Sequence, residues 1–298
     1  ADPQTSLTIS SDVFYYWLAD RMWQGRALLG DTPIQDAGAK FGLGEKTGIA
    51  LAGERGGRLP TPEFFRARYD AVEADLEPGE ANPMGRRNWT AGDNVNMSIG
   101  QGEVLVTPLQ LANAYATIAN GGTHYKPLLV QKVVKPTDAD KAPTDPDNPP
   151  EEIEVFNPVV EDQLEFGTAQ DGRSHLQVLQ AGFEGVINNG RGTANDMWAD
   201  YGGLPGRWAA KTGTAEAGTP SDPKADGSVF ALYGPVDAPF GPNYSISVII
   251  PESGFGADVA GPTAVRILRP MVEGNLPEAP RVDEDRALPD VPTLDVKP

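Results

Sequence analysis

The chain has 298 residues and 39% hydrophobic content, enough to bury a sizeable core, which excludes a disordered chain. Its formal net charge is −18, from 24 basic and 42 acidic residues, which argues against nucleic acid or anionic lipid as the main partner. It has no cysteine, so disulfides, thiolate metal sites and a cysteine nucleophile are ruled out.

The first predicted helix follows Ser10-Ser11-Asp12, with Asp12 as its cap and Phe14, Trp17, Leu18 and Met22 on one apolar face. Gly42, Gly44, Gly48 and residues 53–62 read as loops. Thr107-Pro108 is a strong helix start, with proline at the first helical position. Leu111, Tyr115 and Ile118 repeat at helical spacing until Asn120-Gly121-Gly122 stops the helix. Residues 136–151 form a Pro/Asp-rich insertion above an expected hairpin of 128–134 with 153–156. A helix is predicted over 176–187, then strands over 206–215, 228–234 and 244–250. A closing helix carries Ala264, Ile267, Leu268 and Met271 on one stripe. Residues 277–298, rich in proline and acid, read as a disordered tail. Strands joined by short loops and finished by a helix imply an α+β fold, an antiparallel sheet flanked by helices on both faces. No apolar run is long enough to span a membrane, and no signal peptide stands at Ala1.

The chemistry-bearing segments lie at the two ends of this plan. Lys211-Thr212-Gly213-Thr214 sits in the first of the three late strands. The lysine brings positive charge, and the two threonine hydroxyls offer hydrogen bonds to a carboxylate. Gly213 lets a substrate backbone lie flat on the strand. On its own the tetrapeptide reads more readily as an exposed strand end with a turn glycine. Ser10 and Asp12 both point into a cleft if they stand in a helix-entry loop. The hydroxyl there relays a proton, and the carboxylate orients a lysine or an amide; plain helix capping uses the same residue types. His124 and His175 make no Asp-His-Ser grouping and read as structural or exposed. Metal-ligand spacing and a dinucleotide loop are both absent, and no cofactor or metal is predicted.

Together, Ser10-x-Asp12 and Lys211-Thr212-Gly213 resemble the second and third signatures of the penicillin-binding protein and serine β-lactamase superfamily. Longer segments strengthen the resemblance. Asn96-Met-Ser-Ile-Gly-Gln-Gly-Glu-Val-Leu-Val-Thr-Pro-Leu-Gln-Leu-Ala112 and Gly190-Arg-Gly-Thr-Ala194 are similar to class B penicillin-binding proteins. Leu59-Pro60-Thr61-Pro62-Glu63 and the aspartate at position 12 resemble the elongation type. One departure matters. The family's first signature, S-x-x-K, holds the nucleophilic serine and its lysine base and normally precedes Ser10. The Ser-x-x-Lys found here, Ser221-Asp-Pro-Lys224, follows the Lys-Thr-Gly strand and contains a helix-breaking proline. The expectation is therefore that residues 1–276 are the C-terminal part of a transpeptidase domain, cut within the domain.

The resemblance implies the fold of that superfamily and a D,D-transpeptidase acting on peptidoglycan stem peptides. A serine acyl-enzyme would also be formed with β-lactams. It implies catalytic roles for Ser10, Asp12 and Lys211, and substrate binding by Thr212, Gly213 and Thr214. It further implies a membrane-anchored parent on the extracytoplasmic face, with a membrane glycan polymerase as partner. Two other functions stay open: a β-lactamase or β-lactam sensor, for which Ser11-x-Val13 also fits, and a non-catalytic cell-wall scaffold module.

Overall fold

The computed structural model describes residues 2–135, 151–219, 222–239 and 241–275. The acidic tail and all of the Pro/Asp-rich insertion except Glu151 lie outside the described residues. The first half is helical: α1 (Pro3–Thr8), α2 (Asp12–Gln24), α3 (Arg26–Leu29), α4 (Pro33–Lys40), α5 (Pro62–Ala74), α6 (Ala91–Ser98) and α7 (Pro108–Ala119). Short strands β1 (Thr123–Tyr125), β2 (Lys132–Val134), β3 (Glu152–Val155) and β4 (Val160–Gln163) follow. The second half holds α8 (His175–Asn188), α9 (Asn195–Asp200), β5 (Ala209–Ala215), β6 (Gly218–Thr219), β7 (Asp222–Pro223), β8 (Gly227–Gly234), β9 (Tyr244–Ile250) and α10 (Ala260–Val272). No helix among the described residues is long and apolar enough to cross a membrane.

The main sheet is antiparallel with the order β5-β8-β9, so β5 is an edge strand among the described residues. Its period of two sorts side chains onto opposite faces. On one face Ala209 and its strand partner Tyr233 pack against Ile118 of α7 and Phe183 of α8. On the other, Ala210, Phe230 and Leu232 pack against Ala260, Ala264, Val265 and Leu268 of α10. Helices therefore cover both faces, as expected. The hairpin of 128–134 with 153–156 forms as β2 with β3. The pairing of β1 with β4 was not foreseen, because Val-Glu-Asp-Gln carries no strand pattern.

Some details are corrected. Ser11, not Asp12, is the N-cap of α2; Asp12 is the first helical residue, where its charge suits the positive end of the helix. The expected apolar face of α2 is not a buried one. Ala19 is the buried residue of this helix, while Trp17 is 59% exposed. In α10 the buried stripe runs through Ala260, Gly261, Ala264, Val265 and Leu268, and Ile267 and Met271 face outward.

Two contacts carry the N-terminal helices to the sheet. Gly182 and Gly185 leave a flat strip on α8, and α1 lies directly on it. A β-carbon on Gly185 would fall 2.3 Å from Thr8 Oγ1, and one on Gly182 would fall 2.8 Å from Leu7 Cβ. Thr8 Oγ1 also donates to the Gly182 carbonyl at 3.1 Å. The end of α1 is thereby held beside the α8–β5 layer. Meanwhile α2 packs on α6, with Asn94 Nδ2 donating to the Ala19 carbonyl at 2.9 Å.

Candidate functional site

Between α1 and α2 the chain turns sharply, and the turn falls on Ser10. Ser11 N–H donates to the Ser6 carbonyl at 2.9 Å, and Ser10 itself has φ of 51°. That left-handed conformation is unfavourable for a residue with a β-carbon, at a cost of about 1–2 kcal/mol. It aims the Ser10 hydroxyl at β5, where Lys211 Nζ donates to Ser10 Oγ at 2.7 Å. The same ammonium donates to the Thr212 carbonyl at 2.9 Å. Burial pulls the Lys211 pKa down from its usual 10.5 to about 8, and the nearby Asp12 carboxylate opposes the shift without cancelling it. Lysine and hydroxyl at this spacing are placed to exchange a proton near neutral pH.

Asp12 stands on the same helix entry, exposed to solvent, and acts on Lys211 through charge. Among the described residues it makes no hydrogen bond to Lys211. Thr212, Gly213 and Thr214 continue β5, each partly buried. The Gly213 α-carbon faces the Val229 side chain, which an added β-carbon would approach to 3.2 Å. Ser221, the serine of the late Ser-x-x-Lys, lies outside the described residues.

Two further residues belong to this neighbourhood and were not singled out from sequence. The Thr193 hydroxyl lies 2.7 Å from the Thr212 hydroxyl. Gln101, in the loop after α6, donates from Nε2 to the Thr214 carbonyl at 3.0 Å. Both sit in segments that carry the family resemblance, Gly190–Ala194 and Asn96–Ala112. That was the only signal, since neither has a local motif of its own. His124 is buried and its Nδ1 lies 3.0 Å from the Thr117 hydroxyl, a structural setting.

An edge strand bearing Lys211-Thr-Gly-Thr, met by Ser10 from a helix entry, belongs to a known architecture. The chain is a member of the penicillin-binding protein transpeptidase domain family, which it matches over residues 1–269. Its matches to MrdA and penicillin-binding protein 2 chains place it with the elongation-type class B transpeptidase domains. It is 25% identical to the peptidoglycan D,D-transpeptidase MrdA of Haemophilus influenzae, over 93% of this chain and 37% of that protein. Among solved structures it is similar to penicillin-binding protein 2B of Streptococcus pneumoniae (TM-score 0.64, 20% identity, 93% of this chain and 40% of that one). It is also similar to a chain of a peptidoglycan synthase complex that coordinates polymerization and crosslinking (TM-score 0.62, 26% identity, 94% of this chain and 38% of that one). The chain thus spans well under half the length of these relatives.

Proposed function

We propose that this chain forms the substrate-holding side of a peptidoglycan D,D-transpeptidase site. The observation that carries the reading is the 2.7 Å contact between Lys211 Nζ and Ser10 Oγ, made at a strand whose outer side has no strand partner among the described residues and could take an extended peptide. In this reading a serine outside the present sequence attacks the penultimate D-alanine carbonyl of a stem peptide, and its own motif lysine takes the proton. The terminal D-alanine leaves, and an amine of a second stem peptide resolves the acyl-enzyme. Ser10 passes protons between that lysine and Lys211. Asp12 bonds the same lysine and the substrate amide. Charged Lys211 attracts the substrate carboxylate, which the Thr212 and Thr214 hydroxyls bind. The Thr214 N–H is one donor of the oxyanion hole, and Gly213 keeps the strand open to the substrate. β-Lactams enter by the same route, as mimics of the D-Ala-D-Ala end.

The cellular setting follows the relatives. A synthase complex that couples polymerization to crosslinking supports a membrane glycan polymerase as partner and an extracytoplasmic location. The scaffold alternative loses ground because a scaffold has no use for a buried lysine with a lowered pKa facing a strained serine.

The test is release of D-alanine from a stem pentapeptide by the intact protein. Release that disappears in Lys211→Ala is expected. No release by the intact protein, or release untouched by Lys211→Ala, contradicts the proposal.

A further inference from the structure

Among the described residues no strand pairs with the outer side of β5, so its outward carbonyls must find other donors. Two of them do. The Thr212 carbonyl takes Lys211 Nζ at 2.9 Å, and two residues on, with the same strand orientation, the Thr214 carbonyl takes Gln101 Nε2 at 3.0 Å. The second bond joins segments 113 positions apart. Its donor is a primary amide, the chemical equivalent of a peptide N–H. An extended acyl peptide that adds to β5 as a further strand would present its own N–H to this same oxygen.

We infer that Gln101 is a placeholder for the substrate amide: it satisfies the Thr214 carbonyl in the free protein and is displaced when a ligand with a matching N–H arrives. Its loop is built for the task. Gly100 and Gly102 on either side have φ of 78° and 72°, while the Gln101 N–H is anchored on the Asn96 carbonyl at 3.0 Å. The backbone is thus pinned, and the side chain, half-buried, reaches across the cleft. Displacement costs one hydrogen bond, which only a ligand bearing the N–H replaces. Gln101 is therefore a specificity-determining residue. It penalises an amide-bearing ligand modestly and leaves the carbonyl satisfied when a ligand without the amide binds. This inference rests on the transpeptidase reading above.

The experiment measures second-order acylation rates of the full-length protein with two probes. One is a penicillin carrying an acylamino N–H. The other is a carbapenem in which a hydroxyethyl group stands in place of that amide. Gln101→Ala and Gln101→Met are compared with the wild type; methionine keeps the length but cannot donate. Both variants are expected to raise the penicillin rate about threefold to tenfold, the worth of one displaced hydrogen bond. The carbapenem rate should change by less than about twofold, since no N–H competes for the carbonyl. Equal changes with both probes, no change, or a slower penicillin reaction overturn the placeholder role while the wild type still reacts. A wild type that reacts with neither probe overturns the transpeptidase reading, and the placeholder role falls with it.

Discussion

Ser10 Oγ accepts a hydrogen bond from Lys211 Nζ at 2.7 Å, across 201 positions of sequence. The serine is in a left-handed conformation that only its surroundings sustain, and the lysine is half-buried beside it. Ser10→Ala should keep the strain and lose the bond. It should lower stability by about 1–3 kcal/mol, because a buried ammonium loses an acceptor. Ser10→Gly should lose the same bond but relieve the backbone, and so be the less destabilised of the two. Urea unfolding of both variants checks the order. Equal stability would mean that the left-handed turn carries no strain.

Lys211 titrates near pH 8 by virtue of its burial, well below its unfolded value of 10.5. Two opposite trends follow. Binding of carboxylate-bearing ligands should weaken as pH rises through about 8, because the positive charge is lost. Between about 8 and 10.5 the unfolded chain holds the proton that the folded chain has released, so the contribution of Lys211 to stability rises with pH. A pH series of ligand affinity and of urea midpoints reads both. Lys211→Arg, charged throughout, should flatten the binding profile.

Asp12 is the first residue of α2 and is exposed, so its two proposed uses are separable. As a partner of the substrate amide and the motif lysine, it should tolerate Asp12→Asn, because the amide replaces most of its hydrogen bonds. Asp12→Ala should then lose most activity. As a charge at the helix N-terminus, it should be worth only about 0.3–1 kcal/mol of stability in either variant. Acylation by Asp12→Ala as fast as the parent would leave only the helix-terminal role.

Val13 and Trp17, four residues apart on α2, are 75% and 59% exposed, and Leu28 on α3 is 94% exposed. Apolar surface of this kind promotes association. The isolated 298-residue chain should self-associate, and Val13→Glu with Trp17→Lys should reduce the association. Sedimentation velocity checks this. A monomeric wild-type chain with cooperative thermal unfolding would contradict it.

The sheet was legible because β8 is a short apolar run between Gly227 and Gly234-Pro235, and β9 alternates from Tyr244 to Val248 before Pro251. The helix at Pro108 was legible because Thr107 and Gln110 form a complete capping box. The face of α2 was misread because apolar spacing says where a stripe lies and not whether anything covers it. Ser10 and Lys211 were paired through the order of two short motifs. Gln101 and Thr193 escaped because each acts on a backbone or hydroxyl oxygen of β5 contributed by distant sequence. No local pattern records such a contact.

If β5 and Ser10 serve an acyl-transfer site whose nucleophile lies elsewhere, mass mapping of the penicillin adduct on the intact protein will find it. One acylated serine is expected, in a Ser-x-x-Lys motif outside residues 1–298, with labelling strongly reduced in Lys211→Ala. An adduct on Ser221 or on any other serine of this chain, or no adduct at all, would contradict this expectation.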